Sequence, residues 1–180
     1  MDPAFSQPPP PPEPIEVGDE RAMLESWLEF HRQILVRKCG GLTPEQLTDA
    51  ACPPSPLTLL GLLRHMTDVE QGWFERGIGR MGKEPPFPDV VPHYWSDDDP
   101  DGDLRIPDPP DPAGDLARYE AQLERSRAAL AAVATLDLTV TDGDRTISAR
   151  WVLVHMVEEY ARHNGHADLL RERIDGQTGD

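Results

Sequence analysis

The stretch Trp151–Arg171, WVLVHMVEEYARHNGHADLLR, decides how this chain is read. Stepping 100° per residue gathers Val152, Met156, Tyr160, Ala167 and Leu170 on one side of a helix. Glu159 and His163 fall inside that apolar stripe. They are four residues apart, so one stands above the other. A carboxylate in a helix core without a partner is costly or surrenders its charge. No Lys lies on the helix, and Arg162 and Arg171 sit off the centre of the stripe. The spacing therefore predicts a bound divalent metal ion as the counter-charge.

Working outward, Ser148 caps this helix at its start and Asp175-Gly176 ends it. The preceding LDLTVTDGDRTI (136–147) alternates like a small hairpin turning at Asp142-Gly143. Before it, Asp111-Pro112 opens a helix whose stripe is Leu116, Tyr119, Leu123, Leu130 and Val133. Residues 81–111 are rich in proline and aspartate and read as a long irregular crossover. Its aromatic residues Phe87 and His93-Tyr94-Trp95 suggest that part of it folds back onto the body, whereas Ser96–Asp101 reads as a solvated acidic loop. A second long helix is predicted over about Leu57–Arg80, with Leu59, Leu62, Leu63, Met66, Val69 and Trp73 inward. Thr43-Pro44-Glu45-Gln46 is a capping box with Pro at the first helical position. The first helix runs from about Asp19 to Arg37 and ends at Gly40-Gly41, with Met23, Leu24, Trp27, Leu28, Ile34 and Leu35 at helical spacing. Four long helices with one long crossover between the second and third make an all-α four-helix bundle the expected fold. The expected organisation is a disordered Pro-rich tail (1–17), the bundle (18–176) and a short C-terminal tail (177–180).

With 180 residues the chain is long enough to bury a core as one domain. A net charge of −16 argues against nucleic acid and anionic membranes, because phosphates demand clustered Lys and Arg. No apolar run approaches the roughly 18 residues of a membrane span, and no signal-peptide pattern opens the chain, so a cytoplasmic location is expected. Cys39 and Cys52 form no CxxC pair and read as free thiols. Two lysines against fifteen arginines point to a high-GC genome of the actinobacterial kind.

Zinc in a catalytic site usually takes three protein groups and keeps one position open. His65, on the flank of the second helix's apolar face, is the candidate third ligand. Glu70 lies near the middle of that face, and His31 lies in the middle of the first helix's stripe. His155 and His166 flank the Glu159/His163 pair. These four are candidates to orient ligands, move a proton or line the cavity, although edge-of-core histidines are the plainer reading of His31, His155 and His166. The pattern is neither the HExxH of zinc proteases nor the Glu-x-x-His of di-iron bundles. A mononuclear site of two histidines and one glutamate suits Zn²⁺ first, with Ni²⁺ or Fe²⁺ as alternatives.

The blocks LLGLLRHMTDVEQGWFERG (59–77 with flanks) and WVLVHMVEEYARHNGHADLLRERIDG (151–176) resemble the DinB-like superfamily of metal-binding four-helix bundles. The closest likeness is to its actinobacterial branch, which is similar to mycothiol-dependent maleylpyruvate isomerase and the thiol S-transferases. The resemblance implies one ligand from the second helix and two, four apart, from the last. His65, Glu159 and His163 stand at those positions. Many relatives carry a third His where this chain has Glu159, and the isomerase branch has Glu. The expected function is a divalent-metal-dependent transferase in which a low-molecular-weight thiol, mycothiol first, becomes a metal-bound thiolate and attacks an electrophilic small molecule. Tyr94 and Trp95 are expected to cover the opening. The alternatives are a non-catalytic metal-binding stress or accessory protein, or a thiol-dependent isomerase or tailoring enzyme of secondary metabolism. The partners expected are the thiol and the electrophile, with a homodimer left open.

Overall fold

A computed structural model describes residues 2–84 and 86–178. Among these, four long helices carry the mass of the protein. Helix α1 (Glu20–Cys39) is capped by Asp19, whose carboxylate accepts from the Ala22 amide, and the short α2 (Pro44–Leu47) forms the complete Thr43/Gln46 capping box. Helix α3 (Leu59–Glu70) is capped by Thr58. Helices α4 (Pro112–Ala131) and α5 (Ala149–Asp175) begin at Asp111 and Ser148, and α5 ends on Gly176 in the left-handed conformation. Helix α1 packs along α5 and α3 along α4, while α3 also touches α1 and α5, giving a mostly α bundle. No helix among the described residues is long and apolar enough to cross a membrane.

The core combines the stripes of all four helices, with Leu28, Leu35, Leu62, Met66, Tyr119, Val152, Met156 and Tyr160 essentially sealed. A polar brace runs through it. Arg32 donates from Nε and Nη2 to both oxygens of Glu70 (2.8 and 2.7 Å). Tyr160 donates to Glu70 Oε1 at 2.8 Å, and its hydroxyl meets that of Tyr119 at 2.8 Å. Buried charges persist only when paired and hydrogen-bonded in this way. Both oxygens of Glu70 are thus engaged by Arg32 and Tyr160, which makes it a core ion pair and not the cavity-lining group the sequence suggested.

The second long helix departs from a regular α-helix. After Glu70 the backbone opens into a π-helical stretch (Gln71–Gly77) and then a 3-10 turn (Ile78–Arg80). Bonding from i to i+5 adds about one residue per turn and rotates the faces. Phe74, four residues after Glu70, stays in the core, and Trp73, expected inward, turns aside and is only partly buried.

A two-stranded antiparallel hairpin, β1 (Thr139–Asp142) and β2 (Arg145–Ser148), pairs Val140 with Ile147. Its turn is Gly143-Asp144, one residue later than expected. The register leaves just these two residues in the loop, and Gly143 supplies the positive φ of 57° that such a tight turn requires.

The Pro-rich segment lies against the body where a free tail was expected. Ala4 N–H donates to Leu42 O (2.8 Å), Gly41 N–H to Phe5 O (3.0 Å) and Arg37 Nη1 to Pro8 O (2.6 Å), while Ala4 and Phe5 pack on the core. These bonds satisfy the Ala4 and Gly41 amides and the Phe5, Pro8 and Leu42 carbonyls where the extended segment passes the C-terminus of α1.

Candidate metal centre

Helix α5 presents Glu159 and His163 on the border of its buried face rather than at its centre. Tyr160 and Asn164 occupy the centre, while the side chains of Glu159 and His163 keep 18% and 14% of their accessibility. The face is rotated because α5 leans chiefly on α1. That edge faces His65 of α3, whose ring centroid is 4.7 Å from that of His163. One ligand atom each from His65, Glu159 and His163 lies within 4.8 Å of the others, and all three residues are half-buried. Within this group His163 Nε2 is 3.4 Å from Glu159 Oε2. Burial, followed by the neighbouring His65 and His166, pushes the His163 pKa down to about 4, so its imidazole is neutral near pH 7.

Asp103 has no counterpart among the residues singled out from sequence, yet it holds His65. Its Oδ2 lies 2.7 Å from His65 Nδ1, which leaves Nε2 of that ring for a ligand. Burial raises the Asp103 pKa, but the hydrogen bond and charge of His65 outweigh it and the net shift is downward. Carboxylate–histidine pairs of this kind fix tautomer and ring orientation at metal sites. Asp103 reaches this position because the crossover is pinned to α3. The carboxylate of Asp68 accepts from the amides of His93 (2.7 Å), Tyr94 (3.0 Å) and Trp95 (2.8 Å). The chain then turns tightly, and at Gly102 a Cβ would sit 2.4 Å from Tyr94 O, so only glycine fits. Arg64 clasps the far side through Gly102 O and Asp103 O.

The flanking candidates separate into two groups. His155 Nε2 is 3.6 Å from Glu159 Oε1, and its ring stacks on Trp151 (4.8 Å) and meets Trp73 edge-on (4.6 Å). His166 Nδ1 is 3.4 Å from His163 Nδ1. Both stand beside the three-residue group. His31 does not join it: its ring lies among Trp27, Phe30 and Asn164. Tyr94 does not cover an opening, because its hydroxyl donates to Asp115 (2.9 Å) and Arg64 lies over its ring at 3.8 Å. Trp95, partly exposed, borders a cleft of about 380 Å³ together with Asp68, Trp73, Arg76 and Asp103.

No signal in the sequence marked Asp103 or Asp68. The former follows an acidic run in an irregular segment, and the latter is one polar residue on a helix flank. Cys39 is sealed, with burial pushing its thiol up to about 12, and is no nucleophile.

No curated protein and no solved structure matches this chain. Residues 23–176 match a family model described as mycothiol-S-transferase, a DinB-like family, and the match takes in every residue of the metal-ligand group and the crossover that supports it. The chain belongs to the mycothiol S-transferase family.

Proposed function

We propose that the protein is a divalent-metal-dependent transferase that conjugates mycothiol to an electrophilic small molecule. The observation that carries this reading is the cluster of His65, Glu159 and His163 on two helices, with His65 backed by Asp103. Two imidazoles and a carboxylate are a donor set that fits Zn²⁺ and tolerates Ni²⁺ or Fe²⁺. His65 and His163 would hold the ion through Nε2 and Glu159 through a carboxylate oxygen. When bound, the ion supplies Lewis acidity that makes a thiol a thiolate at neutral pH.

The chain's own residues then do the following. Asp103 fixes the His65 ring, and an ion held at Nε2 of His163 would leave a proton on its Nδ1 to donate to His166. His155, beside Glu159 and open to the Trp73 side, takes the proton the thiol loses. The cleft lined by Trp73, Trp95 and Asp103 lodges the electrophile on an apolar surface and limits water. Sulfur forms a bond to the electrophilic carbon, and the leaving group departs with its bonding pair.

The test is a conjugation assay of metal-loaded protein with mycothiol, bacillithiol and glutathione against a panel of electrophiles, beside calorimetric titration of thiol into metal-loaded and metal-free protein. Conjugation with mycothiol, and thiol binding that needs the ion, are expected. Equal thiol affinity in both forms would reject the reading and favour a metal-stabilised, non-catalytic bundle.

A further inference from the structure

Three arginines converge on a cavity that shares a wall with the cleft reaching Asp103. Arg76 comes from the π-helical stretch, Arg80 from the 3-10 turn and Arg145 from strand β2, and together they line a cavity of about 300 Å³. Among the described side chains, which do not include that of Asp142, none of the three has a carboxylate within 4.0 Å, although most other arginines of this acidic chain do. Arg76 Nε is buried and has no hydrogen-bond partner there. Aromatic faces hold the other two. Arg80 lies over Phe87 at 5.0 Å, and Arg145 lies over Trp151 at 4.6 Å and Trp73 at 5.7 Å.

Gathering three guanidiniums in one recess costs mutual repulsion, and a buried donor without an acceptor costs more. Guanidinium forks stacked on aromatic rings are a fitting cradle for a planar carboxylate or a phosphate.

We propose that this cavity is the subsite for an anionic group, carboxylate or phosphate, on the electrophilic substrate. The inference rests on the transferase reading above and names the substrate class for it. The electrophile is the bearer because mycothiol, built of sugar, inositol and acylated cysteine, carries no anionic group of its own. The route between the two sites is a shared wall. Gly72, Trp73 and Arg76 line both this cavity and the cleft that reaches Asp103, the partner of His65. Trp73 also touches His155, which stands against Glu159. A substrate anchored at the arginines therefore extends past Trp73 toward the ligand group.

Two measurements test this. In the first, inorganic phosphate, benzoate and the neutral benzamide are titrated calorimetrically into metal-free and metal-loaded protein at low ionic strength. Benzoate or phosphate should bind saturably and benzamide should not, and the better anion names the group. Arg80→Gln with Arg145→Gln should weaken anion binding at least about tenfold, since each charged hydrogen bond is worth that order. Arg173→Gln, an exposed arginine in the last turn of α5, should leave it unchanged. Benzamide binding equal to benzoate in the unaltered protein, or unchanged anion affinity in a folded double variant, overturns the proposal. In the second, thiol conjugation is compared for 4-(chloromethyl)benzoate and 4-(chloromethyl)benzamide, where sulfur displaces chloride in both. The acid-to-amide ratio of kcat/KM should exceed one and fall about tenfold in the double variant. A protein that binds benzoate but conjugates neither compound refutes the transferase reading and keeps the anion site. One that conjugates both equally and binds no anion keeps the transferase and refutes the site.

Discussion

Removing the Asp103 carboxylate isolates the contribution of a residue that touches no ion itself. Its Oδ2 receives the Nδ1 proton of His65 at 2.7 Å, a charge-assisted bond in a half-buried setting. Partners of this kind are worth about 10–100-fold in metal affinity, or about 1.4–2.7 kcal/mol. Asp103→Ala removes both charge and acceptor and should weaken Zn²⁺ binding by about that factor. Asp103→Asn keeps an acceptor and should lose less, roughly 3–10-fold. The assay is competition against a chromophoric chelator at pH 7.5, with circular dichroism reporting the fold. Asp103 also accepts from the Leu104 amide, so loosening of the crossover must be separated from loss of the His65 bond. Asp68→Asn provides that control, because Asp68 holds the His93, Tyr94 and Trp95 amides without touching His65. It should lower the melting temperature while changing metal affinity much less than Asp103→Ala. Unchanged zinc affinity in a folded Asp103→Ala protein, or equal losses in the two variants, would refute the assignment of Asp103 to His65.

Arg32→Met leaves Glu70 charged and unpaired in the core and should cost about 3–5 kcal/mol, a fall of roughly 10 °C in Tm, whereas Arg32→Met with Glu70→Met should recover much of it; thermal melts followed by circular dichroism decide. Gly102→Ala must displace Tyr94 O and should lower both Tm and zinc affinity, since the same turn carries Asp103; a wild-type chelator competition curve would contradict this. Burial holds the His31 pKa below its ordinary 6.5, so the unfolded chain binds a proton before the folded one does. Stability contributed by neutral His31 is therefore present above pH 6.5 and declines as pH falls below it, and His31→Phe should flatten the urea-midpoint profile between pH 7 and 5.

The elements that repeat with helical period were legible. Thr43 and Ser148 sit at the caps their side chains suggested, and the stripes of α4 and α5 and, apart from the exposed Trp27, of α1 supply the core. Glu159 and His163 were visible because two ionisable groups four apart on an apolar flank are conspicuous, though their position at the border of the stripe depends on which neighbour α5 leans against. Long-range pairings were not legible. Glu70 stood out near the middle of an apolar face, but nothing in its spacing named Arg32, which looks like an ordinary charge on an amphipathic helix; only the packing of α1 on α3 turns them into one buried pair. Asp103 lies in a segment without period, where function depends on the route of the chain and not on spacing. The Pro-rich segment has a composition that cannot build a core, yet a few of its backbone groups and two apolar side chains suffice to lay it along α1.

The break in periodicity after Glu70 joins these two kinds of residue. A continuous α-helix through residues 71–77 would keep Phe74, four residues after Glu70, on the buried face and bring Trp73 to the other edge of that face, as its spacing suggests. The π-helical widening turns Trp73 aside while Phe74 stays sealed, so the larger ring faces α5 and packs beside His155 and Trp151. The same rotation sets Arg76 on the wall shared by the cleft and the arginine cavity. A π-helical stretch has strained hydrogen-bond geometry and persists where the gain lies elsewhere. Here the gain within the fold is the Phe74 contact and the seal around Arg32, over which Phe74 lies at 5.2 Å. The outward-facing gain is the contact of Trp73 with Trp151 and His155, beside Glu159.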